Sequence, residues 1–257
     1  MNKRVWTIFT GLCALTMLIL YAVAAGAQEI KPKPPMYTYV ANWQVARAHW
    51  GDVEGLNTPV NDVLQKALDD GTLVAYGRDT NLVHGLGAET HSVWWSSMSM
   101  GGLIKGLEKA RAASDANAAA LNDAKHWDTV WVSRFYSWKP GSVKGGYLRV
   151  AMYKLKDDAP DDALDNLSEH LVVPVMEKLL GDGTITAYAI FTTAIHTEAP
   201  GLFAIDYITP TPDGLDTVQA AVLGSIKAHP LGVQAFGSVT DDSAHRDGLD
   251  RIDATFK

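Results

Sequence analysis

The sequence predicts an α+β protein built from two tandem βαββαβ units, and three observations carry that prediction. The first is an internal repeat. "DDGTLVAYGRDTNLVHG", from Asp69 to Gly85, returns 112 residues later as "GDGTITAYAIFTTAIHT", from Gly181 to Thr197. Seven of the seventeen positions match, among them Asp70/Asp182, Gly71/Gly183, Thr72/Thr184, Tyr76/Tyr188 and His84/His196. The second is an apolar helical face ahead of each copy. Val60, Val63, Leu64, Ala67 and Leu68 fall at i, i+3, i+4, i+7 and i+8, and Val172, Val175, Met176, Leu179 and Leu180 repeat that face. The third is where the offset changes. It is 110 between Tyr37-Val40-Ala41-Trp43 and Tyr147-Val150-Ala151-Tyr153, and 119 between His126 and His245. Insertions therefore fall between elements, where loops absorb them.

Along the chain, residues 1–27 come first. Lys3 and Arg4 precede an apolar stretch that closes on Ala25-Gly26-Ala27, the small-residue pattern of a cleaved signal peptide. The expected location is thus exported, periplasmic or secreted. The competing reading is a retained membrane anchor, since the stretch is long enough to span a bilayer. Cleavage removes Cys13, the only cysteine, and with it any disulfide, thiolate metal site or cysteine nucleophile. The net charge moves from −7 to −9 as Lys3 and Arg4 leave. Nucleic acid and anionic membranes, which need a basic face, are not expected partners. Residues 28–35, with "EIKPKPP", read as a stiff extended leader.

The first unit, 36–136, has strands expected near 37–43, 72–84, 91–98 and 128–136, with helices near 58–69 and 102–124. "SWKPGSVKGG", 137–146, reads as the joint. The second unit, 147–257, has strands near 147–154, 184–196, 202–209 and 249–256, with helices near 162–180 and 214–228. Each repeat helix ends at an Asp-Gly pair, where glycine accepts the left-handed conformation that terminates a helix. This is the split βαβ, ferredoxin-like order, and right-handed crossovers place both helices on one face of each four-stranded sheet. The other face needs a cover.

That pattern, over nearly all of residues 36–257, resembles the dimeric α/β-barrel superfamily, in which two such units pack sheet to sheet; some members carry both in one chain. The alternative is two ferredoxin-like domains on a linker. The resemblance implies a barrel pocket for a small apolar or aromatic molecule and a monomer completed by its own repeat. It also implies cofactor-free oxygenase or isomerase chemistry, or haem handling, so haem is the one cofactor the resemblance brings in. A metal site is not expected. A non-catalytic ligand binder and a packed structural or stress-response module are the competing functions.

The repeated His84 and His196 are the candidate catalytic residues, as a general base, a haem ligand or a metal ligand; the competing reading is that they cap strand ends. His126 and His245 form a second repeated pair, with Asp128 and Asp247 as local partners. Strand alternation divides Tyr37, Tyr39, Ala41 and Trp43 from their neighbours, and Tyr147, Arg149, Ala151 and Tyr153 from Leu148, Val150 and Met152. The aromatic sets are expected to face the barrel interior. All seven tryptophans after residue 27 lie in the first unit or its exit, whereas the second has Tyr153 for Trp43, Asp206 for Trp94 and Tyr207 for Trp95. Tyr39, Trp43, Tyr76, Trp94, Trp95, Arg149, Tyr153, Tyr188 and Asp206 are thus the candidate ligand-binding residues, in one asymmetric pocket. The chain has no HExxH, no phosphate-binding glycine loop, no GxSxG and not the GxxDG element of dye-decolourising peroxidases. "TDDSAHRD" (Thr240 to Asp247) puts Ser, His and Asp close in sequence, which is weak grounds for a triad that must assemble in space.

Overall fold

A computed structural model describes residues 30–257, apart from 86, 115–118 and 198. The signal or anchor segment expected over residues 1–27 lies outside the described residues. Eight strands are present: β1 (Met36–Gln44), β2 (Ala75–Asn81), β3 (His91–Ser97), β4 (Lys125–Trp138), β5 (Gly141–Leu155), β6 (Ala187–Ile195), β7 (Leu202–Thr209) and β8 (Thr240–Phe256). They close into a barrel in the order β1-β3-β2-β8-β5-β7-β6-β4, every neighbour antiparallel. Units are stitched at two seams, β2 to β8 and β4 to β6. Sheet-to-sheet packing thus becomes closure, which leaves neither unit a bare edge. Residues Pro32–Lys257 form one compact unit, not two domains on a linker.

The helices are α1 (Trp50–Asp69), α2 (Met100–Ala113), the short α3 (Ala119–Asn122), α4 (Ala163–Leu167), α5 (Val173–Asp182), α6 (Pro212–Ala228) and α7 (Pro230–Val239). A π-turn over Ser168–Val172 joins α4 to α5. α1 begins eight residues before the expected start, and Pro59 stands inside it rather than opening it. α7 carries no repeat signal and was not expected.

The repeated Asp-Gly-Thr word builds the same joint twice. Asp70 and Asp182 accept the backbone N–H of Thr72 and Thr184 at 2.9 and 3.0 Å. Hydrogen bonds from the threonine side chains, and then from these backbone N–H groups, hold both carboxyls below their usual pKa. Gly71 and Gly183 take φ of +78° and +86°, the left-handed region that turns the chain off the helix. Tyr76 then donates to Gln65 at 2.8 Å and Tyr188 to Glu177 at 2.6 Å, fastening each strand to the helix before it. The expected leader is partly fastened too, since Tyr136 donates to the Pro34 carbonyl at 2.9 Å and Lys33 to that of Tyr136 at 2.6 Å.

Two expectations are corrected. The joint over 137–146 is mostly strand: β4 runs through Trp138 and β5 starts at Gly141. Val143 pairs with Ala254, and a bulge between Val143 and Gly146 absorbs the glycines that suggested a linker. The inward face is also the opposite one. Thr38, Val40 and Asn42 on β1, and Leu148, Val150 and Met152 on β5, line the lumen. Tyr39 and Ala41 instead join Leu64, Ala67, Leu73, Trp95 and Leu103 in a core beneath the helices. The reason is space. An eight-stranded lumen is narrow, and small side chains such as Thr38, Ala75, Ser96, Ala189 and Ala204 recur around it. Tyr39 and Trp95 find their room outside, where helices stand off the sheet, while an inward Trp94 needs a glycine, Gly77, across the ladder.

Candidate functional site

Each unit has a cleft between the outer wall of the barrel and its helices, and the barrel encloses a third space. The two clefts share a plan. In the first, His126 Nδ1 lies 3.0 Å from the Asn42 carbonyl, and the ring stacks on Trp43 with centroids 3.8 Å apart. In the second, His245 Nδ1 lies 3.0 Å from the Met152 carbonyl and the ring stacks on Tyr153 at 4.4 Å. Each Nδ1 faces a carbonyl, so it carries the hydrogen and leaves Nε2 as the basic nitrogen of the neutral ring. Nε2 lies 3.0 Å from Asp128 in one copy and 3.4 Å from Asp247 in the other. The expected local partners are therefore in place. The Asp128 contact is an ion-pair distance without hydrogen-bond alignment.

The clefts differ in what fills them. In the first, Tyr39 and Trp95 stack at 4.4 Å and are 5 % and 2 % exposed. Trp95 donates its indole N–H to the Leu103 carbonyl at 3.3 Å, and burial pushes the Tyr39 hydroxyl pKa up. About 200 Å³ remains. In the second, Arg149 replaces Tyr39 and Tyr207 replaces Trp95. Arg149 reaches Asp247 at 2.7 Å and donates to the Gly248 carbonyl at 3.2 Å. Desolvation raises the pKa of both Tyr153 and Tyr207. The space is about 480 Å³, walled by Met176, Val218, Val222, Ile226 and Phe236 from the helices.

The lumen, about 250 Å³, takes four tryptophans, Trp94, Trp127, Trp131 and Trp138. Trp94 can lie inward only because Gly77 faces it across the ladder; a Cβ there would come within 2.6 Å of the indole. Its indole N–H donates to Asp79 at 3.3 Å. Asp206 also faces inward and accepts the Ala189 N–H at 2.8 Å.

The predicted residues are therefore distributed, not gathered. Arg149 and Tyr153 share the second cleft, while Trp94 and Asp206 share the lumen behind it; the expected Arg149–Asp206 pocket is divided by the sheet itself. Tyr39, Trp43 and Trp95 lie in or beside the first cleft, and Tyr76 and Tyr188 are tied to helices. His84 and His196 reach neither space. β2 ends at Asn81 and β6 at Ile195, so both histidines lie beyond the strands, exposed, with His84 stacked on Trp50 at 4.9 Å. Sequence reasoning left out Tyr207, although its alignment with Trp95 and its parity with Arg149 mark it. It also left out Asp79 and Asp250, which sit in strands with no neighbouring signal.

Among the described residues no group of His, Cys, Asp and Glu could hold a metal ion. Haem does not fit the second cleft as built. His245 lies flat on Tyr153 with Nδ1 on the Met152 carbonyl, and the Asp247 carboxylate stands at 3.4 Å from Nε2, where an iron would have to sit. His229, at the junction of α6 and α7, is exposed, so no buried histidine turns a free nitrogen into the space.

No protein-family model matches the sequence, and no curated protein does. Solved structures do. A candidate monooxygenase from Lactobacillus acidophilus NCFM superposes with a TM-score of 0.58 at 10 % identity, covering 86 % of this chain and 94 % of that one. A second candidate monooxygenase, from Fusobacterium nucleatum, gives 0.57 at 5 % identity, with 88 % and 95 % covered. A candidate chlorite dismutase, TA0507, gives 0.50 at 11 % identity, with 85 % and 94 % covered. At such identities the likeness speaks for fold. The chain is an α+β protein with the dimeric α/β-barrel fold, both ferredoxin-like units supplied by one polypeptide.

Proposed function

We propose that the second cleft binds a flat, electron-rich aromatic molecule bearing an acidic hydroxyl and supports its oxygenation by dioxygen. The observation that carries this reading is the exchange of the Tyr39–Trp95 plug for Arg149 and Tyr207, which opens the cleft and puts a cation on its floor. Arg149 holds the hydroxyl oxygen as it becomes anionic. His245 Nε2 takes the proton, and Asp247 beside it steadies the imidazolium. Apolar helix side chains keep water from the electron-rich ring that dioxygen must attack. With 1-naphthol the balance is naphthol plus O2 giving 1,4-naphthoquinone plus water. The O–H and one ring C–H are lost, one oxygen atom enters the ring, and the other leaves as water. Naphthol is the reductant. The likeness to candidate monooxygenases supports this choice of chemistry. The apparent signal segment would place the activity outside the cytoplasm.

A second reading is binding without turnover. It is favoured by one observation: the same stacked His–Asp arrangement occurs in the plugged cleft, so its geometry is not peculiar to the open one. An oxygen electrode with 1-naphthol, read together with quinone absorbance, separates the two. Oxygen uptake matching quinone one to one, lost in His245→Gln with binding retained, is the expected result. Saturable binding with no uptake would leave the second reading; no binding would sink both. A haemin titration giving a stoichiometric Soret shift would overturn the conclusion that the cleft rejects haem.

A further inference from the structure

We infer that the barrel lumen is a second, separate binding site, for a small organic ammonium ion with an apolar body. Four carboxyl groups line this space, Asp79, Asp206, Asp250 and Glu89, and among the described lining residues there is no lysine, arginine or histidine. Three converge from different strands, and Glu89 comes from the loop before β3. Asp250 on β8 faces Asn81 on β2 and Leu148 on β5 across the ladders, and Asp206 on β7 pairs with Val150, two residues along β5 from Leu148.

One of these carboxyls, Asp250, and its ladder partner Asn81 each leave a side-chain oxygen without a donor among the described residues. Asp250 is 8 % exposed and lines the cavity, and among the described residues its carboxyl has no hydrogen-bond or ion-pair partner. Asn81, 5 % exposed, has a buried Oδ1 with nothing donating to it. A buried acceptor without a donor is costly, and a group of buried carboxyls without a cation more so. Packing alone gives no reason to keep the carboxyls, since the rest of the wall is uncharged: apolar and aromatic side chains such as Val40, Trp94, Trp131 and Phe191, with the neutral polar Thr38, Asn42, Ser92, Ser96 and Thr129. A protonated amine supplies three donors and one positive charge at the carboxyls. Its apolar body lies against the tryptophans, whose faces also attract cations. The volume of about 250 Å³ suits a single-ring molecule. Half-buried Trp127 and the loop residue Glu89 mark the end through which it would enter.

Burial is consistent with a lumen that keeps its protons until a cation arrives. It pushes the Asp206 and Asp250 carboxyls up to about 7 and Asp79 well above its ordinary value. Across the lumen these groups face one another and Glu89, all acids, so no basic neighbour offsets them.

The test is calorimetry and tryptophan fluorescence on the full chain, with 2-phenylethylamine as probe and 2-phenylethanol as its neutral counterpart. Saturable one-to-one binding of the amine is expected, at least tenfold tighter than the alcohol and at least tenfold weaker in Asp250→Asn. Asp79→Asn serves as a second variant should Asp250→Asn fail to fold, as judged by circular dichroism. The amine should also bind more tightly at pH 8 than at pH 5, because its partners must ionise. Bound 1-naphthol should not displace it, since the sheet separates the sites, so the lumen site stands or falls independently of the cleft. Equal affinity for amine and alcohol, or no binding of the amine, would overturn the proposal.

Discussion

The two outer clefts start from one blueprint and end as different things. Tyr39 and Trp95 turn the first into core; at the aligned places Arg149 and Tyr207 leave the second open, at about 480 Å³ against 200 Å³. The surrounding frame is kept: a histidine on a backbone carbonyl, its ring on an aromatic, an aspartate at its far nitrogen. Two side chains on neighbouring strands thus decide whether a sheet–helix interface is filled or hollow. One copy can carry stability while the other is released from packing duty.

The largest expected effect breaks the filled side. Trp95→Ala should cost roughly 3–5 kcal/mol in urea denaturation, because a buried indole leaves a cavity. Tyr207→Ala, bordering a space that already exists, should cost less than about 1.5 kcal/mol. Equal costs would mean that the clefts are not the opposites described. The next effect concerns the lumen both units share. Asp206 and Asp250, with folded pKa values raised to about 7, contribute stability that is complete below the unfolded carboxyl value and lost as pH rises through about 7. The loss should be on the order of 2–4 kcal/mol, seen as a lower Tm at pH 8.5 than at pH 5 and reduced in Asp250→Asn. A flat or rising Tm would show that these carboxyls ionise without penalty.

A smaller effect sharpens the open side. Arg149→Ala should weaken 1-naphthol binding about tenfold, or about 1.4 kcal/mol. Arg149→Tyr with Tyr207→Trp, which rebuilds the plug, should remove binding while raising Tm. The smallest effect tests the residues that drew attention first. His84→Ala and His196→Ala should each change stability by less than about 0.5 kcal/mol and leave binding unchanged, since both lie exposed beyond their strands.

Repetition made the fold legible. Asp70-Gly71-Thr72 and Asp182-Gly183-Thr184 report a joint that backbone geometry demands twice, and it anchors the element order on either side. The site was less legible, because a period of two separates faces without saying which is in. Tyr39 and Val40 are equally good strand residues, and the period does not say that Val40 is the one that lines the lumen. The same ambiguity put Arg149 and Asp206 in one pocket when they lie on opposite sides of a sheet. His84 and His196 misdirected for another reason. A duplicated residue signals common descent of the segment, and a strand that stops at Asn81 or Ile195 carries its flanking histidine no further.

The seam between β2 and β8 bears on how the molecule comes into being. Arg78 bonds Asp253 across it at 2.9 Å, a link spanning 175 residues of sequence. Until β8 has been synthesised, β2 keeps a free hydrogen-bonding edge and the first unit has no complete lumen. Its aromatic core can gather early from local contacts, but closure waits for the strand made last. Such long-range pairing folds slowly, and the half-made chain is therefore a long-lived open ribbon. That is a state a chaperone can hold with little to unravel.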